Sequence, residues 1–306
     1  MQETAVIDLT IIGAGPIGIA CGIAAGQAGL SYRILEKGCL VNSLYNYPLN
    51  MTFFSSSERL EIGGVPFMSL NPKPGRAEAL EYYRRVVQQF NLKIGLFESV
   101  ESIQRDKNLF QISTSKTQYR SRKVVIATGF YDEPVMMNIP GESLPKVRHY
   151  YFDPHFYGGR DVLVVGANNS SVDAALETWR KGARVTMVIR GESIGRRVKY
   201  WVRPDIENRI KEGSIRAFFS SNLEAITERS VLIRDAEGIM HELPNDEVLA
   251  MTGYQPSFRL LQSAGVDILS EPWLRPAYNP ETMETNVPGL YLAGVVCGGM
   301  DTQLVH

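Results

Sequence analysis

Residues 6–36, VIDLTIIGAGPIGIACGIAAGQAGLSYRILE, decide the fold of this chain. Ile7 to Ile12 is an apolar, β-branched run of the kind that forms a buried strand. It runs into Gly13-Ala14-Gly15-Pro16-Ile17-Gly18, a G-x-G-x-x-G turn. Small and apolar residues from Ile17 to Ala28 then predict a helix, which Gly29 stops. A second strand, Ser31 to Leu35, ends at Glu36, 18 residues past Gly18. In such a unit the first glycine makes the tight turn and the second lets the backbone approach a pyrophosphate. The third lets helix and strand pack closely. The helix N-terminus offers free N–H groups to phosphates, and Glu36 is placed to accept hydrogen bonds from a ribose diol. The glycines alone also fit an ordinary βαβ turn; strand, helix, second strand and acid together point to a dinucleotide.

Composition narrows the partners. The 306 residues suffice for two domains, and 32 Lys+Arg against 33 Asp+Glu leave a formal charge of -1. Neither nucleic acid nor an anionic membrane is indicated. No apolar run reaches membrane-spanning length, and the first ten residues, MQETAVIDLT, lack the pattern of a signal peptide. Cys21, Cys39 and Cys297 form no C-x-x-C, which fits a reducing cytoplasm. No zinc-ligand spacing occurs among three Cys and four His, so no metal is expected.

Lys37 to Gly64 is too long for a routine loop and carries Tyr45, Tyr47, Phe53 and Phe54. It fits either a segment lying along a flat cofactor ring or a solvated loop with two buried Phe. Arg76 to Asn91 predicts an amphipathic helix with Leu80, Tyr83, Val87 and Phe90 on one stripe. A short strand at Lys93 to Phe97 precedes a three-stranded antiparallel meander at Val100 to Ile103, Leu109 to Thr114 and around Tyr119. A separate buried strand, Lys123 to Thr128, closes at Gly129.

Val162 to Arg190 repeats the opening unit in degenerate form. Its turn reads Gly166-Ala167-Asn168-Asn169-Ser170-Ser171, with Asn168 and Ser171 in place of the second and third glycines. Arg190, 19 residues after Ser171, stands where the first unit has Glu36. A guanidinium cannot accept from ribose hydroxyls but can grip a 2′-phosphate, although a surface arginine at a strand end would look the same. Arg196, Arg197 and Lys199 add positive charge. Two different dinucleotide sites imply one resident redox cofactor and one exchangeable donor, as in a flavin enzyme fed by NADPH.

The segments IIGAGPIG, residues 45–67 (YNYPLNMTFFSSSERLEIGGVPF), IATGFY, residues 144–177, TGYQP and ETNVPGLYLAGVVCGG span nearly the whole chain. With them the sequence resembles the thioredoxin-reductase-like branch of the two-dinucleotide-binding flavoproteins. It is most similar to the bacillithiol-disulfide-reductase family. The resemblance implies an α/β fold of two Rossmann-like domains, each a parallel sheet with helices and a small antiparallel meander. The first domain would comprise 1–132 and 251–306 and bind FAD; the second, 133–250, would bind NADPH. The implied FAD residues are Gly13, Gly15, Pro16, Ile17, Gly18, Glu36, Lys37, Ser43, Thr128, Gly129 and Gly294. Those for NADPH are Gly166, Asn168, Asn169, Ser170, Ser171, Arg190, Arg196 and Arg197. The implied acceptor is a small disulfide or a redox carrier protein, and the implied assembly a homo-oligomer (dimer or tetramer).

The sequence departs from that family in three places. Where members that act through a cysteine carry it, after the proline of the first turn, stands Ile17. The dithiol of thioredoxin reductases is absent, and the long helix that usually follows the last glycine strand is shortened or lies outside the sequence. Cys297 remains the one candidate thiol near the flavin, against a reading as a small buried hydrophobe. A ferredoxin-type reductase, a flavin monooxygenase and a non-enzymatic redox sensor are the competing functions. The usual F-x-G-x-x-x-H spacing of the monooxygenases is missing.

Overall fold

The structure, a computed structural model, describes residues 5–301. It divides into two compact units, one of residues 1–46, 51–133 and 254–306, the other of residues 47–50 and 134–253.

The first unit opens with β1 (Val6–Ile12), α1 (Pro16–Gln27) and β2 (Tyr32–Leu35). A one-turn helix α2 (Asn42–Tyr45) and a 3-10 turn at Ser57–Leu60 are the regular elements of the long connection. Then come α3 (Arg76–Gln89), β3 (Ile94–Gly95), β4 (Val100–Asp106), β5 (Leu109–Thr114) and β6 (Gln118–Ile126). The sheet order is β3-β2-β1-β6-β5-β4.

The expected third meander strand and the buried strand after it are one nine-residue strand. β1 pairs parallel with β6 along its length, from Val6 opposite Arg120 to Ile12 opposite Ile126. On its other edge, Gln118–Ser121 pair antiparallel with β5, while Val124–Ile126 pair parallel with a late strand described below. The polar run Arg120–Lys123 reads as a break in sequence. It stays extended because β1 satisfies its backbone while Arg122 and Lys123 point to solvent.

Two further expectations shift. The strand at Lys93 to Phe97 shrinks to Ile94–Gly95, since Phe97 takes φ +52°. In α3 the buried stripe is Ala79, Tyr82, Tyr83 and Val86 rather than the one through Leu80 and Val87. Tyr82 stacks on Phe67 at 4.4 Å, and its hydroxyl donates to the Val65 carbonyl, which rotates that face inward. Phe53 is half-buried and Phe54 exposed, so the long loop does not bury two Phe.

The second unit carries β7 (Glu133–Pro134, at its boundary), β8 (Val147–Arg148), β9 (Asp161–Val165), α4 (Asn169–Arg180), β10 (Arg184–Val188) and α5 (Arg203–Lys211). β11 (Arg216–Phe218), β12 (Asn222–Ile226), β13 (Ser230–Arg234), β14 (Met240–Pro244) and β15 (Glu247–Ala250) follow. Its parallel sheet has the order β11-β10-β9-β15-β8, and β12-β13-β14 form a separate antiparallel meander. The strands β9, β10 and β15 are buried on both faces, which is why their sequences are continuous apolar runs. Val164 and Met187 face the helices with Val172 and Leu176, while Leu163, Val188 and Val248 meet Leu223 and Ile233 of the meander.

The chain ends its described course in the first unit with β16 (Tyr254–Gln255), α6 (Phe258–Ser263) and β17 (Leu290–Leu292), the late strand beside β6.

Candidate functional site

In the first unit the glycine turn joins β1 to α1 with each glycine in a different circumstance. Gly13 has φ +104°, and a Cβ there would meet the Ala127 carbonyl oxygen at 2.5 Å. A Cβ on Gly18 would lie 1.8 Å from the Gly13 carbonyl oxygen, so the helix packs on the turn only without a side chain. Gly15 has an ordinary φ of -73°, and a Cβ on it would meet nothing within 4 Å. Neither strain nor crowding within the protein requires glycine at that position. It leaves clear the space before α1, whose first turn has no acidic residue and no side-chain cap. A pyrophosphate on the helix N-terminus fits that space.

Glu36 is 7 % exposed, and its carboxylate already has two partners. The Ala14 N–H donates to Oε2 at 2.9 Å and the Gly38 N–H to Oε1 at 3.0 Å. Burial raises its carboxyl above the ordinary range, and these two N–H bonds pull it partly back. Each carboxylate oxygen can accept more than one hydrogen bond, so the acid can fix the turn and still receive a ribose diol. Its bond to the turn is a role that the spacing did not reveal. Lys37 is held by Asp132 at 2.6 Å, an acid just beyond the Thr128-Gly129 turn that sequence reasoning missed. Gly129 has φ +76° with open space at its Cβ position, Thr128 is half-buried, and Ser43 is a half-buried residue of α2. Arg76, also missed, is buried and donates to the carbonyls of Leu44 and Tyr45, tying that short helix to α3.

Gly294 opens a 3-10 turn after β17 with φ +81°. A Cβ there would stand 3.0–3.3 Å from three atoms of the Ile17 side chain. Ile17 therefore rests on the Gly294 turn and stays 38 % exposed. Cys297, three residues on, is 0 % exposed and packs in the core with Ile12, Ile126, Leu261 and Val296. Burial pushes its thiol up to about 11, so it is protonated at neutral pH. The candidate thiol is thus a core residue, corrected by its lack of any exposed surface. Cys21 and Cys39 are free thiols, both raised by burial.

The second turn is built differently. Gly166 has φ +124°, with the Met251 carbonyl 2.6 Å from where a Cβ would be. Ser171, in the third-glycine place, is buried and donates from its hydroxyl to the Asn168 carbonyl at 2.8 Å. This turn is wide enough for a side chain where the first is not. The backbone bonds also fix the register of the strand end. Gly13 N–H donates to Leu35, and Gly166 N–H to Val188. Glu36 N–H donates to Gly95 of β3, and Ile189 N–H to Phe218 of β11. The counterpart of Glu36 is therefore Ile189, fully buried, and Arg190 stands one residue further out. Counting from the third position, which is a glycine in one turn and a serine in the other, hid that single step.

Arg190, Arg196 and Arg197 are exposed, and among the described residues none has an ion pair or hydrogen bond. Ser170 is exposed on the first turn of α4. Asn168 and Asn169 point into the loop after β10. A Cβ on Gly195 would come within 2.2 Å of the Asn168 Oδ1, and both ends of the Asn169 amide bond to backbone at Arg197 and Lys199. Among the described residues no group of three or more His, Cys, Asp or Glu is placed to hold a metal. No helix there is long and apolar enough to cross a membrane.

Two glycine turns on parallel sheets, one closed by a carboxylate and one opening beside unpaired arginines, define a two-nucleotide oxidoreductase. The model of the pyridine nucleotide-disulphide oxidoreductase family matches residues 10–294, and the chain belongs to that family. It is an enzyme of this FAD- and NADPH-dependent group. The chain is 47% identical over 300 residues to the bacilliredoxin reductase Bdr of Bacillus subtilis, covering 98% of this chain and 91% of that protein. It is similar, with a TM-score of 0.96 and 42% identity, to the bacillithiol disulfide reductase Bdr of Bacillus cereus, covering 99% of this chain and 94% of that one. The thioredoxin reductase of T. acidophilum shares the fold, with a TM-score of 0.77 at 20% identity over 97% of this chain and 92% of the other.

Proposed function

We propose that this protein takes a hydride from NADPH into FAD and delivers the electron pair to a disulfide, either a small bacillithiol-type disulfide or one on a carrier protein. The observation that carries the assignment of cofactors is the exchange at the strand end: Glu36 in the first unit, Ile189 followed by Arg190 in the second. An acid at that position would repel a 2′-phosphate, and an isoleucine does not. The first unit, residues 1–132 and 251–306, then holds FAD, and 133–250 holds NADPH.

Gly15 and the bare start of α1 leave room for the FAD pyrophosphate, with Gly13, Pro16, Ile17 and Gly18 shaping the turn. Glu36 orients the adenosine ribose, while Lys37, Ser43, Thr128, Gly129 and Gly294 border the rest of the cofactor. Bound FAD supplies two-electron chemistry between hydride donor and acceptor. Gly166, Asn168, Ser170 and Ser171 shape the second turn, and Arg190, Arg196 and Arg197 receive the 2′-phosphate. In balance, NADPH and one proton convert R–S–S–R into two thiols and NADP+. Ile17 keeps an apolar surface where a relay cysteine would stand, and Cys297 has no access to an acceptor, so the disulfide is reduced without a thiol of this chain. A reducing cytoplasm is the compartment where such turnover belongs.

An anaerobic assay on purified holoprotein tests this. NADPH oxidation that depends on bacillithiol disulfide or on an oxidised bacilliredoxin is the expected result. Turnover with ferredoxin alone, or NADPH oxidation coupled only to oxygen uptake, would replace the disulfide by another acceptor.

A further inference from the structure

The asparagines of the second turn need an explanation, since an Asn-Asn pair replaces the bare glycine that lets a phosphate approach the first. Asn169 is the first residue of α4, a place from which a side chain could reach a nucleotide. Its amide is instead fully engaged by backbone. Nδ2 donates to the Arg197 carbonyl at 3.0 Å, and Oδ1 accepts the Lys199 N–H at 2.9 Å. One donor and one acceptor fix the amide's orientation, because the flipped amide would oppose like groups at both ends.

The same loop is tied at three more points. The Gly195 N–H donates to the Ala167 carbonyl in the glycine turn itself, at 2.9 Å. Lys199 Nζ meets Asp173, one helical turn beyond Asn169, at 2.8 Å. Ile194 and Val198 are 3% and 5% exposed, packed in the core beside Val172 and Ile189. Between those two apolar anchors stand Arg196 and Arg197, exposed and without partners among the described residues.

We infer that Asn169 is a positioning residue: it clamps the loop of Arg196 and Arg197 against the second glycine turn and thereby sets the preference for a phosphorylated ribose. This rests on the reading of that unit as the NADPH site. Without the amide, the arginines keep their charge but lose their fixed station, and a mobile guanidinium gives up part of its bond to side-chain ordering.

The experiment measures dissociation constants of 2′,5′-ADP and 5′-AMP on the holoenzyme for Asn169→Ala, a paired Arg196→Ala/Arg197→Ala variant and the triple variant. Asn169→Ala should weaken 2′,5′-ADP about five- to tenfold, the size of one hydrogen bond's net contribution, and leave 5′-AMP within about twofold. In the triple variant 2′,5′-ADP should bind no more weakly than to the paired arginine variant, since the amide acts through those residues. Asn169→Asp keeps the acceptor for Lys199 but has no donor for Arg197. It should show the same selectivity loss, even if the alanine variant folds poorly. Equal weakening of both ligands, additive losses, or a lowered Tm with unchanged selectivity would each overturn the inference. If the paired arginine variant binds 2′,5′-ADP as the native protein does, the NADPH reading itself fails and this inference with it.

Discussion

The two glycine turns of this chain solve one problem with opposite means. The first is bare and tight, with a carboxylate bound to its own backbone and no room for a Cβ at its third glycine. The second admits a buried serine, and its asparagines hold a neighbouring loop. Where backbone alone faces the ligand and a buried acid is committed to the turn, the site is fixed before anything binds. Where recognition is delegated to exposed arginines on a tethered loop, each contact is made with solvated groups that a ligand can enter and leave. The difference suits a cofactor that stays and a donor that exchanges.

The largest effect that could break this contrast is at the third position of each turn. Gly18→Val puts atoms into the Gly13 carbonyl, so it should cost more than about 3 kcal/mol and give no soluble yellow protein. Ser171→Gly should cost less than about 1 kcal/mol, both read by thermal melts of the purified proteins. Comparable losses would show that the turns are equally tight.

Next in size is Glu36→Arg, which removes two backbone acceptors and the proposed ribose partner together. It should purify nearly colourless, and full flavin absorbance after gel filtration would remove Glu36 from the FAD site.

Arg190→Ala sharpens the other side. One charge-assisted pair is worth roughly 1.5–3 kcal/mol, so the NADPH KM should rise about ten- to a hundredfold while the NADH KM changes little. Steady-state kinetics with both donors decide it, and equal shifts would place Arg190 away from the 2′-phosphate.

The smallest expected effect on turnover is that of Cys297→Ser. The new hydroxyl is buried, so stability should fall by about 1–3 kcal/mol while NADPH oxidation with a disulfide acceptor persists. Brief alkylation of the native protein near neutral pH, followed by mass spectrometry, should mark the part-exposed Cys39 and spare Cys297. Loss of turnover with intact flavin reduction would restore Cys297 as a nucleophile.

The sequence carried the local units well because each βαβ element is written in contiguous residues: strand, turn, helix and strand end all announce themselves. It carried poorly whatever depends on a partner distant in the chain. The polar run before Val124 looked like the end of a strand, and only pairing with β1 keeps it extended. The counterpart of Glu36 was misjudged by one residue because a bound strand register, not a count from a degenerate turn, assigns it. Asn169 read as a nucleotide contact since its amide's partners lie at Arg197 and Lys199, beyond β10. Cys297 had no signature separating a reactive thiol from a filler of the core.

The strand β6 has a consequence for how the molecule is made. Its Val124–Ile126 half is completed by β17, whose residues leave the ribosome only after the whole second unit has been synthesised. The second unit, apart from Tyr47–Asn50, is continuous and can collapse as soon as Gly253 emerges. The first unit must meanwhile wait with one edge of its central strand incomplete, its closing contact spanning more than half the chain. The unit that would bind the resident cofactor is thus begun first and finished last, and its slowest folding step is the arrival of its own C-terminal strand.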